Sequence, residues 1–568
     1  MLGGCLWTSP ACYAPAWSPD GDSLYYVAAR PDGTLSLRRA DVASRTGTEL
    51  AASRLDEPPV ALALSPQGDR VACAVVTRAN GRERQASVHV HAGEGADGRA
   101  VWRGPTARGT VELCWTPDGQ SVVVAADRPG GWGLWLAPVG GGTPRALARG
   151  LAEARLPAVS PDGSQVAFVG RPTAKALCGL YTASLETGEA SVAVPALFRT
   201  PWVGYGPAWS PDGGALAYVA ERYAAEGFAE VWVYEVAAGR RRAVARTLAG
   251  SCFAPAWSPH GDRLAFVRLP FGAGPAGPQT PGSGGRPAEI VVVDAQGEQQ
   301  RALAADGLAN LMPAWSPDGQ TIAFTTSAEP AEPRHVVRLA DVATAELRLA
   351  EDAPEARVLL AMARYRRGAA AGLKKALDAL ADIPAGPARA FAHLTVAEAY
   401  RELGQWRVVA HHARAAAVEA PPVLRGRALG RLAEAQRRLG QPEDALHSLG
   451  RLPPEAKDAR TRRTAARLRR GIETLGRVRT QLEDRSTPAL LHRLGDLQRK
   501  ALGNPRGARD TYFRLLDQHP GYPRAPRVAA AVFECYARLR AHRASYRVLE
   551  RMAGLIGEDR LTAAQTLA

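Results

Sequence analysis

The chain has 568 residues, of which 46% are hydrophobic and 22% charged, and it carries a net charge of +15. That length exceeds what one hydrophobic core serves, so at least two domains are expected. No stretch approaches the roughly 18 uninterrupted apolar residues that a membrane-spanning helix needs. The charge is one-sided: from Glu351 to Ala568, 40 Lys plus Arg face 23 Asp plus Glu, while the remaining 31 and 33 nearly cancel. Only five of the basic residues are Lys. An Arg-rich composition follows from GC-rich coding as readily as from phosphate contacts, so basicity alone is a weak pointer to nucleic acid.

In chain order, the first feature is Leu2-Gly3-Gly4-Cys5, which is similar to the tail of a bacterial lipoprotein signal. If translation begins upstream, Cys5 is the lipidated residue and the mature protein is anchored in the envelope. If Met1 is the true start, a cytoplasmic protein is expected. Residues 1–12 are therefore set apart as an N-terminal segment. The seven cysteines, Cys5, Cys12, Cys73, Cys114, Cys178, Cys252 and Cys535, form no C-x-x-C pair and imply neither a disulfide framework nor a zinc site.

A repeat then dominates residues 13–350. Ala14-Pro-Ala-Trp-Ser-Pro-Asp-Gly21 returns at Gly206–Gly213, Ala254–Gly261 and Met312–Gly319, with shorter copies ending at Gly68, Gly119 and Gly163. The motif prolines fall at 19, 66, 117, 161, 211, 259 and 317. In each unit one strand ends at the motif, an alternating strand such as Val166-Ala-Phe-Val169 follows, and two more strands complete it. Four strands per unit is a propeller blade, so seven blades are expected. The motif explains itself as a turn: Ser bonds the turn backbone, Pro presets φ, Asp tolerates the third position and Gly takes the left-handed fourth.

Trp17, Trp115, Trp209, Trp257 and Trp315 are expected to pack against neighbouring blades. With Gly21 they form the structural signature, together with Asp20, Asp118, Asp162, Asp212 and Asp318. As metal ligands these aspartates would be held apart on separate blades, so a structural role is expected. The motif followed by a strand such as Ile322-Ala-Phe324 resembles the repeat of TolB-type propellers of bacterial cell envelopes. The resemblance implies a β-propeller that binds protein partners in the periplasm or at the envelope. Residues Leu269–Pro287 interrupt the sixth unit with a Gly/Pro-rich loop.

From residue 351 to 568 apolar residues recur at helical spacing. Phe391–Pro422 carries Ala397, Tyr400, Gly404 and Pro421 at offsets resembling a tetratricopeptide (TPR) repeat, and Arg425–Pro454 repeats this with Leu432, Ala433, Gly440 and Ala445. A third copy runs from Leu494-Gly495 through Gly503 and Ala508 to Pro520, with Leu494-Gly495 one residue too far from Gly503. The resemblance implies an all-α TPR-like solenoid, whose concave groove would take a protein or peptide segment. Arg401, Arg437 and Arg438 would line that groove. The run Arg460–Arg470 is the densest basic segment, but it has no interleaved aromatics for base stacking. It is expected to be a solvated helix or one facing an acidic partner or anionic lipid headgroups, and no nucleic-acid partner is expected.

No G-x-S-x-G elbow, phosphate loop, H-E-x-x-H helix or dinucleotide fingerprint occurs. The pairs His89/His91 and His411/His412 have no third ligand nearby in sequence. The expectation is a non-enzymatic interaction scaffold of the bacterial cell envelope without metal or cofactor. The alternative is a propeller enzyme, a lactonase or glycan-acting hydrolase, with residues converging on the central channel.

Overall fold

The computed structural model describes residues 15–29, 35–50, 60–79, 83–92, 98–198, 206–221, 229–245, 250–270, 288–306, 308–327, 335–366, 371–453 and 459–538, with 554 and 557. Cys5 lies outside these residues, and so does the Gly/Pro-rich loop beyond Pro270 as far as Arg286 and Pro287. The chain divides into two compact units, the first running to Leu373 and the second starting at Lys374.

The first unit is a seven-bladed β-propeller. Each blade is a four-stranded antiparallel meander in which strand order follows the chain. The first blade shows the pattern: Ala16–Trp17, Ser23–Ala29, Leu35–Asp41 and Gly47–Glu49. The second strands are the most buried, because both faces of each sheet are covered by neighbouring blades. Val122–Ala126 of the third blade and Val166–Phe168 of the fourth are fully or nearly fully buried. In the first strands of blades four, six and seven, Leu156, Ala254 and Met312 adopt positive φ just before a proline. Each sits at a bulge in the pairing with the second strand.

Blade seven closes onto blade one through a shared apolar cluster, with Leu24, Tyr26 and Ala40 meeting Ala323, Val337 and Leu339. No strand is exchanged across this joint. After the last strand, Glu351 accepts from Arg38 and from Tyr26. Helix α1 (Pro354–Arg366) then lays Leu360 on Leu308 and Val336.

The second unit is helical: α2 (Ala371–Ala381), α3 (Pro387–Glu402), α4 (Trp406–Glu419), α5 (Pro422–Arg438), α6 (Pro442–Gly450), α7 (Ala459–Asp484), α8 (Pro488–Asp496), α9 (Pro505–Gln518) and α10 (Ala525–Arg538). From α3 onward each helix packs chiefly on the next one in the chain. Three hairpins share one turn. Leu403-Gly404-Gln405, Leu439-Gly440-Gln441 and Leu502-Gly503-Asn504 each place glycine at φ between 64° and 82°. In the first two the following Gln N–H reaches back five residues, to the carbonyls of Tyr400 and Gln436. That is the Schellman geometry in which glycine pays no Cβ penalty.

The extra residue of the third copy has a structural outcome. Ala397 and Ala433 stand seven residues before their turn glycines, whereas Gly495 stands eight before Gly503. Residues Leu497–Ala501 form a π-helical turn, which absorbs one added residue within a helix. The small residue thereby keeps its packing role. A Cβ on Gly495 would lie 2.3 Å from the ring of Tyr512, which is fully buried and donates to Asp496 at 2.6 Å.

Candidate functional site: a propeller mouth and a basic helix face

At one end of the propeller the motif turns form a ring. Ser18 Oγ donates to Asp20 at 2.5 Å while accepting from Ser23 N–H, and Asp20 also accepts from Asp22 N–H. The same arrangement recurs at Thr116/Asp118, Ser160/Asp162, Ser210/Asp212 and Ser316/Asp318. The hydroxyl bond holds each of these carboxyls below the usual carboxylate range. Where Gln67 and His260 replace the motif aspartate, the residue after the glycine takes over: Ser65 donates to Asp69 and Ser258 to Asp262. Sequence reading missed this substitution, and its signal was present in the Gly-Asp pair that follows both variant motifs. Among the described residues no cluster of three or more His, Cys, Asp or Glu side chains is arranged to hold a metal.

The motif tryptophans join the blades. Trp17 Nε1 donates to the carbonyl of Ala314, Trp115 to Ala63, Trp209 to Ala158, Trp257 to Ala208 and Trp315 to Ala256, at 2.9–3.2 Å. Each acceptor is the residue just before the equivalent position in the preceding blade, so the bond is a latch between innermost strands. At the two remaining joints that position is Leu64 or Val159, which offer no donor. Each turn also rests on the one before it: Gly21 faces Pro317, Gly163 faces Pro117 and Gly213 faces Pro161.

Between these turns lies a cavity of about 370 Å³, lined mainly by Pro15, Trp17, Pro19, Leu64, Trp257 and Trp315 with flanking serines and prolines. Its lining is about equally polar and apolar, indole and proline faces alternating with serine hydroxyls and main-chain groups, a surface suited to an extended segment that offers both. Elsewhere in the propeller, Glu112 is buried and accepts from both Arg155 and the bulged Leu156 N–H. Burial pushes this carboxyl up while Arg155 opposes the shift. Arg155 also lies 4.5 Å from the centre of the Trp132 ring.

In the helical unit the three arginines singled out from sequence do not form one patch. Arg401 donates to Glu398, which also accepts from Arg431 of α5. Arg438 lies over the Trp406 ring at 5.2 Å, and Arg437 packs beside Gly503. His411 and His412 point different ways: His412 is buried, its Nδ1 lies 2.8 Å from His393 Nδ1, and desolvation lowers its pKa to about 4. In blade two His91 is buried against Cys73 Sγ at 3.3 Å, while His89 meets Ser87.

The basic run lies on α7, a helix of 26 residues. Its inward stripe is Leu468, Gly471, Leu475 and Val478, all buried. Arg462, Arg463, Arg467, Arg469, Arg470, Arg477 and Arg479 are all exposed.

Comparison with known proteins agrees with the propeller. Residues 192–334 match the PD40 family model, the TolB beta propeller domain. No curated protein matches the chain. Among solved structures, a putative TolB from Agrobacterium tumefaciens is similar at 20% identity, over 55% of this chain and 89% of that one, with a TM-score of 0.32. An oligogalacturonate lyase in complex with manganese aligns at 16% identity over 58% and 77%, with a TM-score of 0.35. A Mycobacterium tuberculosis puromycin-hydrolyzing peptidase aligns at 15% over 61% and 54%, with a TM-score of 0.40.

The expectation that the chain is not an enzyme is corrected by these neighbours, two of which are enzymes. The physical reason is that a propeller can assemble a site from separate blades around one axis. A missing contiguous motif therefore carries no weight against catalysis. What the sequence and comparisons share is a TolB-like propeller, which in the structure has seven blades and is followed by a helical region.

Proposed function

We propose that the chain is a partner-binding protein of the bacterial cell envelope, with a propeller module over residues 13–350 and a TPR-type module over 351–568. The helical module would grip a protein or peptide segment in the groove formed by the first helix of each hairpin, α3, α5 and α8. The observation that carries this reading is the thrice-repeated Leu-Gly-Gln/Asn turn joining helices that stack on their neighbours. Such stacking leaves one helix face of each hairpin to line a continuous concave surface. The groove residues are Arg401, Arg437 and Arg438, spread over α3 and α5 rather than gathered in one patch, and the mouth of the propeller is a second contact surface. Envelope placement rests on the TolB-like propeller, with Cys5 as the lipidated residue.

The test introduces a photo-crosslinking residue in place of Arg401 or Arg438 in the full chain, expressed from its native upstream region. A discrete crosslinked protein, obtained from groove positions but not from the exposed Thr187 in a turn of blade four, is the expected result. Absence of groove crosslinks in a folded, fractionated protein would count against the reading. A mass spectrum of the mature N-terminus decides Cys5: a diacyl or triacyl cysteine supports anchoring, and an unmodified Met1 in the cytosol removes it.

A further inference from the structure

Several arginines elsewhere in the molecule are partnered. Arg38 meets Glu351, Arg389 meets Glu419, Arg431 meets Glu398 and Glu434, and Arg499 meets Asp496 and Glu534. The seven exposed arginines of α7 are gathered on one helix, and among the described residues none of them forms an ion pair. Their spacing is regular. Arg463, Arg470 and Arg477 stand seven residues apart, and Arg462 and Arg469 form a parallel row beside them. Seven residues are two turns, about 10.5 Å of rise, so the rows run straight along the face opposite the buried stripe. Exposed Ala466 sits between them, with Arg462, Arg463, Arg469 and Arg470 at its −4, −3, +3 and +4 neighbours.

Arg467 has Arg463 four residues before it and Arg470 three after it, like-charge pairs that destabilise an isolated helix, and an anionic occupant would relieve that repulsion; exposed Glu473 stands between the same rows, seven residues after Ala466. We propose that this face of α7 docks an acidic α-helix of a protein partner. Carboxylates repeated every seven residues on such a helix match the roughly 10.5 Å spacing of Arg463, Arg470 and Arg477. The methyl group of Ala466 is the low floor over which an Asp or Glu side chain lies within reach of the guanidinium groups on either side, one of which can bind it in bidentate fashion. A lipid surface is a poorer match, because the apolar side chains Leu468, Leu475 and Val478 point inward and leave nothing to insert. Nucleic acid is also a poorer match, since α7 carries no aromatic residue for stacking. The proposal deepens the partner-binding reading by assigning a second surface and the chemistry of its occupant.

The test titrates the full-length protein with a synthetic helical peptide bearing Glu at heptad positions. The comparisons are a peptide of equal composition with that spacing broken, vesicles of phosphatidylglycerol in phosphatidylcholine, and a short DNA duplex. The heptad peptide should bind roughly tenfold more tightly than the broken one and weaken with salt. Its binding should be lost in the Arg463→Glu/Arg470→Glu variant, while the milder Arg463→Gln/Arg470→Gln variant, checked for helicity by circular dichroism, retains an intermediate affinity. Equal binding of the two peptides, no binding of either, or tighter binding to vesicles or DNA would overturn the proposal. Groove crosslinking does not read this face, so failure here and failure of the partner-binding reading are separately visible.

Discussion

The two halves of this protein use repetition for opposite ends. In the propeller, the repeated residues lie at the joints: each motif tryptophan latches the preceding blade, and each motif aspartate rigidifies its own turn. In the helical unit, what repeats is mainly the turn itself, Leu-Gly-Gln/Asn at positive φ, and the joints are filled by different side chains each time. Ser448 donates to Gln436 between α5 and α6, whereas Thr511 donates to Gln498 between the π turn and α9. A ring must make seven joints agree at once, so one solution is copied. A stack closes on nothing, so each joint is solved locally and its outward faces are left to diverge.

This contrast can be broken experimentally, and the largest effect is expected inside the ring. Glu112→Ala leaves Arg155 buried without its carboxylate and frees the bulged Leu156 N–H, at a cost of about 3–5 kcal/mol. Thermal unfolding should show the propeller transition lowered and the helical one unmoved, and a parallel fall of both would mean that the two units do not unfold separately.

The next effect belongs to the helices. His412 titrates near 6.5 when unfolded and near 4 when folded, so the folded state binds its proton later. Stability is therefore unaffected above about pH 6.5 and falls as the pH drops toward about 4, by on the order of 2–3 kcal/mol. Denaturant titrations across that range should find this loss, and His412→Phe should flatten part of it.

Gly495→Ala comes third. The new Cβ meets the ring of Tyr512, which is fixed by its bond to Asp496, and overpacking of this kind costs about 1–3 kcal/mol. The same change at exposed Gly476, which has open space around it, should instead stabilise by roughly 0.5–1 kcal/mol through helix propensity. Chemical denaturation of the pair separates packing from propensity. The smallest effect is Trp257→Phe, which keeps an aromatic ring but removes the donor to Ala208, for about 1 kcal/mol.

Much of the propeller was legible because the motif marks one fixed point per blade and strand alternation fills the rest. The helical half was legible as helices for the same reason of periodicity. What escaped was whatever depends on a main-chain partner far along the chain. The indole of Trp17 is visible in sequence, but its acceptor, the carbonyl of Ala314, carries no side-chain signature. The handover from motif aspartate to Asp69 and Asp262 escaped because it shifts function by two positions within an otherwise intact turn. The extra residue before Gly503 was visible as a spacing fault, yet its resolution as a π turn depends on the packing of Gly495 against Tyr512. Arg401 and Arg438 could be placed on helices, but Arg431 of α5, which shares Glu398 with Arg401, and Trp406 of α4, which lies under Arg438, belong to neighbouring helices.

The closure between blades seven and one uses the same latch as the internal joints, Trp17 to Ala314, and exchanges no strand. The ring consequently has no privileged seam. Its ends are a matter of where the gene was opened, and circular permutation between any two blades should leave the fold intact provided that the severed link is replaced. The joint without a tryptophan at Leu64 is the natural place to cut, whereas at Val159 the Glu112 carboxylate, bonded to Arg155 and to the Leu156 N–H, ties blade four to blade three.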